Sequence, residues 1–275
     1  MREITFTKME GLGNDFVMIY DKNHDINNES VFTKKLCDRN FGIGADGVIF
    51  IGESKVAHIR MVIYNADGSH ATMCGNGIRC FAKYVWDKNI VRENPIKIET
   101  DDGIKYATLF IENNKLSEVE INMGTWSFAP EKVPVTGENE IIEKELVIGS
   151  KQYSISSLHM GVPHTVIYTS LDKVNIEEGS KIEGYELFPT GTNVNFCEKI
   201  DEHNIKVKTW ERGAGATLAC GTGSCASVIV GHNIGLLKDR VKVVVPGGEL
   251  LVTLKNGEAY MRGKANTVFE GIIKL

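Results

Sequence analysis

Cys74-Gly75-Asn76-Gly77 and Cys220-Gly221-Thr222-Gly223 are the two stretches of this chain whose residue types and spacing promise chemistry. In each, a cysteine meets a glycine-spaced turn and then a run of small or apolar residues. The first continues Ile78-Arg79-Cys80-Phe81-Ala82 and the second Ser224-Cys225-Ala226-Ser227-Val228. A thiol at a helix N-terminus faces N–H groups without intrahelical partners and the positive end of the helix dipole. Both favour thiolate over thiol, moving the pKa from about 8.5 into a range of roughly 3.5–7.5. Two cysteines in equivalent settings therefore read as a matched pair of acid–base groups. A lone cysteine more often fills a core, and that reading is kept for Cys37, Cys80, Cys197 and Cys225.

The elements that would position the two thiols are written twice. From Cys74 to Cys220 is 146 residues, and other landmarks fall in nearly the same register. Tyr64-Asn65-Ala66-Asp67-Gly68 precedes the first cysteine turn as Trp210-Glu211-Arg212-Gly213 precedes the second. Gly44-Ala45-Asp46 is answered by Gly191-Thr192-Asn193, and Gly11-Leu12-Gly13-Asn14 by Gly161-Val162-Pro163-His164. One order of landmarks in two copies describes a pair of domains and not a short-period solenoid. The boundaries are placed at 1–119, with 264–275 returning to that domain, and at 120–263.

Period-two alternation predicts strands at 3–8, 16–21, 47–52, 58–64, 96–100, 105–112 and 115–122 in the first copy. In the second it predicts 145–148, 151–157, 165–168, 194–199, 204–209, 241–245, 249–255 and 258–263, with a last strand at 268–275. Helices are predicted at 77–88 and 224–234 after the cysteine turns, with minor ones at 30–38 and 174–181. The 77–88 run is apolar around most of its circumference, the pattern of a buried helix. The fold class is α/β of the α+β kind. Each domain is expected to be a curved, mostly antiparallel sheet wrapped around a central helix. The acidic stretch 138–145 reads as a solvated hairpin, and His159 and His164 as structural.

Composition narrows the function classes. The chain has 275 residues, 42% of them hydrophobic and 24% charged, with a net charge of −5. That is a soluble globular composition without the basic footprint of a nucleic-acid binder. No apolar run approaches the ~20 residues needed to span a bilayer, and the opening residues carry no apolar signal core. The expectation is a cytoplasmic protein with reduced thiols, no nucleic-acid partner and no membrane. The near-neighbour cysteines lie six and five residues apart, unlike the CxxC pairs of zinc sites, so no metal is expected.

Gly42-Ile43-Gly44-Ala45-Asp46-Gly47 is literally GxGxxG, with Asp67 some twenty residues further on. A dinucleotide fingerprint needs a strand before it and a helix after it. Here the preceding 32–38 reads as helix and the following Val48-Ile49-Phe50-Ile51 as strand, so the order is reversed and nicotinamide binding is excluded.

Taken together, GLGNDF (11–16), FGIGADG (41–47), YNADGS (64–69), CGNGIRC (74–80), GTNVNF (191–196), WERGAG (210–215) and ACGTGSCA (219–226) resemble the diaminopimelate epimerase family. The resemblance spans essentially the whole chain, and it implies two pseudo-symmetric α/β domains with the active site in the cleft between them. It implies a cofactor-independent epimerase that interconverts LL- and meso-diaminopimelate for lysine and peptidoglycan precursors, acting as a homodimer. By motif, Cys74 and Cys220 match the catalytic cysteines. Asn14, Asn65, Asn193, Glu211 and Arg212 match side chains that hold the substrate, and Gly75, Asn76, Gly221 and Thr222 the backbone segments that hold its carboxylate. Val162 departs from the family's pattern, standing where many members have an Asn that recognises the distal end of the substrate.

The chemistry fits the residue types. Inverting an amino-acid α-carbon needs a base on one face and an acid on the other, and two cysteines supply both. Arg212 can grip a carboxylate bidentately while Glu211 accepts from an ammonium, which together read a zwitterion; the plainer alternative is an exposed charge pair. Asn65 is expected to touch substrate, whereas Asp67 serves the local turn. The competing functions are a racemase of the same mechanism on another amino acid, such as histidine, and a non-catalytic amino-acid-binding protein.

Overall fold

The structure is a computed structural model that describes residues 3–22, 26–137 and 139–274. The chain divides into two compact units, Met1–Ile121 with Gly263–Leu275, and Asn122–Arg262.

In the first unit, β1 (Glu3–Gly11) and β2 (Asn14–Tyr20) form a hairpin, and β18 (Asn266–Lys274) pairs with β1 on its other side. The loop is Leu12-Gly13 alone, with φ of 60° and 83°. Positive φ at both positions is the two-residue turn whose twist suits a hairpin, and it delivers Asn14 as the first residue of β2. Helix α1 (Glu29–Cys37) follows, capped by the Asn28 side chain on the Val31 N–H. Next come β3 (Gly47–Gly52), parallel to β2, then β4 (Ile59–Asn65) and the short β5 (His70–Ala71). Helix α2 (Gly75–Asp87) leads into β6 (Ile96–Thr100), β7 (Gly103–Glu112) and β8 (Lys115–Thr125). Pairing runs β18-β1-β2-β3-β4-β6-β7-β8, antiparallel except at β2–β3 and β4–β6. Strand β3 is buried along both faces, as a parallel-paired strand covered on two sides must be. One cover is α1 with Val17, Val48 and Phe50. The other is α2, whose Ile78, Phe81, Ala82 and Val85 are wholly buried.

The second unit repeats the plan. It contains β9 (Lys144–Ile148), β10 (Lys151–Met160), β11 (Val162–Tyr168), α3 (Glu178–Glu183), β12 (Asn193–Asp201), β13 (Asn204–Glu211), β14 (Gly215–Thr217), α4 (Gly221–Asn233), β15 (Arg240–Val245), β16 (Gly248–Lys255) and β17 (Glu258–Gly263). Strand β9 flanks β10 as β18 flanks β1, and β11–β12 and β13–β15 are the parallel pairs. The two central helices match in detail. Each has 13 residues, and each ends on a residue in the left-handed region, Asn89 (φ 58°) or Gly235 (φ 75°). Such a residue stops a helix by turning its last carbonyls onto the N–H groups beyond.

Several expectations are corrected. The cysteine helices begin at Gly75 and Gly221, not at 77 and 224, because the cysteines themselves are the N-caps. The 174–181 helix is displaced to α3, after a 3₁₀ turn at Leu171–Lys173. The acidic stretch 138–145 is not a solvated hairpin throughout: Ile141 is buried in the core of the second unit, and Lys144 and Glu145 open β9, which pairs with β10, while Glu138 lies outside the described residues. Leu275, the end of the last expected strand, also lies outside them. Among the described residues no helix is long and apolar enough to cross a membrane.

Candidate active site

In the first unit, Cys74 caps α2 in extended conformation and its Sγ accepts from the Gly77 N–H at 3.4 Å. Its thiol donates to Asn14 Oδ1 at 3.5 Å, and Asn76 Nδ2 donates to the same oxygen at 3.4 Å. Three of the expected residues thus meet around one amide oxygen. Gly75 and Asn76 occupy the first turn of α2, where N–H groups have no intrahelical acceptor and suit an anion. Beneath them lies Arg79, fully buried, donating to Gly75 O at 3.1 Å and to Asn76 Oδ1 at 2.9 Å. Asn65 lies at the end of β4, paired with Gly47 across the sheet. It is exposed, and its amide donates to Ser69 Oγ at 3.0 Å. Asp67 accepts from the Ser69 N–H and hydroxyl, the local turn role expected of it.

In the second unit, Cys220 caps α4 in the same manner, with Sγ accepting from the Gly223 N–H at 3.4 Å and lying 3.5 Å from Thr222 Oγ1. Gly223 is required here, since a Cβ would overlap Asn195 Oδ1. The Glu211 carboxylate lies close enough to act electrostatically on the Cys220 thiol, and it accepts from Thr217 Oγ1 at 2.6 Å. Asn193 is buried and braces the site: it donates to Pro163 O at 3.0 Å and accepts from the Arg212 N–H at 2.9 Å. Arg212 itself is exposed and donates to Thr190 O at 2.9 Å.

The expectation of a depressed thiol pKa fails at Cys220. Burial pushes this thiol well up, the Glu211 charge adds to the rise, and the bonds from Thr222 and the Gly223 N–H offset only part of it. The helix terminus is present as expected; at 6% exposure the loss of water outweighs it. Burial likewise raises the Glu211 carboxyl, against the opposing effects of the Thr217 hydrogen bond and the Cys220 thiol. Cys37 is raised to about 11, and Cys80 and Cys197 to about 12, chiefly by burial, consistent with core thiols. His164 is held neutral by burial, down at about 3, and its Nδ1 contacts Asn195 Nδ2 at 3.2 Å.

Sequence reasoning missed four contributors. Arg79 lies inside CGNGIRC and was read as part of a helix. Thr217 lies just outside the motifs, between WERGAG and ACGTGSCA, and Asn195 lies inside GTNVNF without having been assigned a role. Glu183 accepts from Trp210 Nε1 at 2.7 Å and from the Gly213 N–H at 3.1 Å, holding the segment around Glu211 and Arg212 from both sides. A signal was available for Arg79 alone, since a charged residue in an otherwise apolar helix needs buried partners. Volume would not have found the site. A cavity of about 650 Å³ in the first unit is lined by Phe6, Tyr20, Tyr84, Lys88 and Ile272, at the opposite end of α2 from Cys74.

Residues 6–129 and 156–268 match the family model described as Diaminopimelate epimerase. A curated diaminopimelate epimerase from Clostridium perfringens is 50% identical over 267 residues, covering 97% of this chain and 98% of its own. The chain belongs to the diaminopimelate epimerase family. The family's enzyme from Caldanaerobacter subterraneus is 46% identical over 274 residues, with 98% of this chain and 99% of its own covered. Among solved structures, a hydroxyproline epimerase from Agrobacterium vitis superposes with a TM-score of 0.72 at 14% identity, covering 99% of this chain and 92% of that one. A PhzF-family phenazine biosynthesis protein from Bacillus anthracis gives 0.70 at 16% identity over 100% of both. At such identities these two likenesses speak for the fold, two-domain and sheet-dominated.

Proposed function

We propose that this protein is an isomerase that interconverts LL- and meso-diaminopimelate by proton transfer through Cys74 and Cys220. The observation that carries the reading is that the two thiols hold the same N-cap position on equivalent helices of a duplicated unit. High identity to curated diaminopimelate epimerases over nearly the full chain supports the substrate.

Inversion requires one sulfur to remove the α-proton as thiolate while the other delivers a proton from the opposite face as thiol. The reverse direction exchanges the roles. An α-proton is weakly acidic, so negative charge building on the carboxylate must be stabilised as the C–H bond breaks. The first-turn N–H groups of α2 and α4 are of the kind that does this, each aligned donor contributing roughly 3 kcal/mol. The raised Cys220 pKa supports a resting state with Cys220 protonated, ready to act as the acid. Glu211, whose charge acts on that thiol, is the group suited to draw its proton away when the direction reverses. No pyridoxal group or metal enters this scheme. The homodimer and the cytoplasmic setting belong to the same reading and are supported by the family resemblance.

The test is α-proton exchange in deuterated water with the diaminopimelate isomers and a panel of free amino acids. Exchange and inversion of diaminopimelate, undiminished by chelator, is the expected result. Efficient racemisation of histidine with diaminopimelate ignored would overturn the substrate, and absence of exchange with every compound would overturn the enzyme reading.

A further inference from the structure

We propose that Asp46 is a positioning residue for Cys74: its carboxylate fixes the amide of Asn14 so that the amide oxygen faces the thiol. The inference rests on the reading of Cys74 as a proton-transfer group, and it gives a task to the Gly-Ala-Asp-Gly stretch that failed as a dinucleotide motif.

The argument is one of donor and acceptor polarity. Asn14 Nδ2 donates to Asp46 Oδ2 at 2.8 Å. A carboxylate only accepts, so turning the amide over would set oxygen against oxygen. With its NH₂ end committed to Asp46, Asn14 must present Oδ1 on its other side. There it meets the Cys74 thiol at 3.5 Å and Asn76 Nδ2 at 3.4 Å. Asp46 thereby decides that the group beside the catalytic sulfur is an acceptor, which takes the S–H and aims it.

Asp46 is itself held by several hydrogen bonds. Its Oδ2 accepts from the Asp15 N–H at 3.1 Å and its Oδ1 from Arg39 at 2.8 Å. Its own N–H donates to Asp15 O at 2.9 Å, and its carbonyl accepts from the Ala66 N–H at 2.9 Å, next to Asn65. Asp15 in turn is paired with Arg39 at 2.9 Å and with Lys8 at 2.5 Å. The duplicated half shows what is particular here. There Val194 lies opposite Trp210 as Val48 lies opposite Tyr64, so the residue in register with Asp46 is Thr192, whose hydroxyl can both donate and accept and lies 3.0 Å from the Thr165 hydroxyl, with no carboxylate at that place. Only the first copy has an acceptor-only group there, and only there does it face an asparagine beside the thiol.

Asp46→Asn is nearly isosteric but supplies a donor, so it lets the Asn14 amide turn its NH₂ toward Cys74. A donor at the sulfur favours thiolate. The experiment is the pH dependence of Cys74 alkylation by iodoacetamide, read by mass spectrometry on the folded protein, with kcat and KM for diaminopimelate on the same samples. Wild type must first invert diaminopimelate; if it does not, the functional reading fails before this inference is reached. Asp46→Asn should lower the Cys74 alkylation midpoint by about one pH unit and kcat by roughly tenfold, with KM changing less than about threefold. Asp46→Glu, which keeps an acceptor-only group, should retain the wild-type midpoint. In an Asn14→Ala background, Asp46→Asn should add nothing, because the two act through one contact. An unshifted midpoint in Asp46→Asn, an equal shift in Asp46→Glu, or losses that multiply in the double variant would overturn the proposal. Should Asp46→Asn not fold, Asn14→Ala carries the test, and an unchanged Cys74 midpoint there would overturn it equally.

Discussion

At the scale of single residues, six cysteines of one chemical type fall into two kinds by where their sulfurs sit. Cys37, Cys80, Cys197 and Cys225 are buried core thiols, whereas Cys74 and Cys220 cap helices. Alanine at Cys74 or at Cys220 should abolish inversion, while Cys37→Ala and Cys197→Ala should retain it with a stability loss of about 1 kcal/mol. Substantial turnover in either cap variant would sink the two-thiol assignment. A second expectation concerns titration of Cys220. Its folded pKa lies above the ordinary 9.0 through burial and the Glu211 charge, so alkylation should be slow at neutral pH and rise only on the alkaline side of that value. Glu211→Gln removes one of the two causes. The alkylation profile of Cys220 should then move to lower pH yet stay above 9, because burial remains; a profile unmoved by the substitution would show that Glu211 does not act on this thiol.

At the scale of elements, the helix start and the hairpin do the positioning. Gly223 lets α4 approach Asn195 so closely that any side chain must displace one of them. Gly223→Ala should therefore lower the melting temperature by several degrees and kcat by more than about tenfold. Gly52, with open space around its Cβ position and an ordinary φ, is the control and should tolerate alanine. Equal effects in calorimetry and assay would contradict the close-approach argument. The β10–β11 hairpin carries Val162, half-buried opposite Met160, where the family resemblance leads to an asparagine. Val162→Asn should lower KM for diaminopimelate by up to roughly tenfold, the equivalent of one hydrogen bond of about 1.4 kcal/mol. A KM that stays the same or rises would show that the distal end of the substrate is read elsewhere.

At the scale of the whole molecule, each unit has its own core, its own central helix and its own thiol. On the proposed two-thiol mechanism, duplication gives one chain two groups of the same type, one to act as base and one as acid. The units are not identical in polarity, however. Cys220 lies beside a half-buried carboxylate, whereas Cys74 lies beside an amide oxygen. The homodimer expected from the family is checked by sedimentation velocity on the purified chain, where a species of about twice 30.4 kDa should dominate at micromolar concentration. A monomer that turns over diaminopimelate at full rate would dismiss that expectation.

Much of this protein was legible from its residues alone. Strong local signals carried the strands of period two, the buried helices and the reversed order around GxGxxG, because alternation, apolar surface and turn chemistry act over a few residues. The cysteine turns were legible for the same reason, with a glycine-spaced turn at the start of each helix and the second copy repeating the first at a fixed offset. Tertiary structure decided the rest. Whether a thiol at a helix start is acidic depends on how much water it loses and which charge lies beside it, and Cys220 loses nearly all its water next to Glu211. The tasks of Arg79, Asp46, Thr217 and Glu183 depend on partners that lie across a turn or on another element. No local pattern encodes these, because a hydrogen bond between side chains distant in sequence exists only once the backbone has brought its donor and acceptor within about 3 Å.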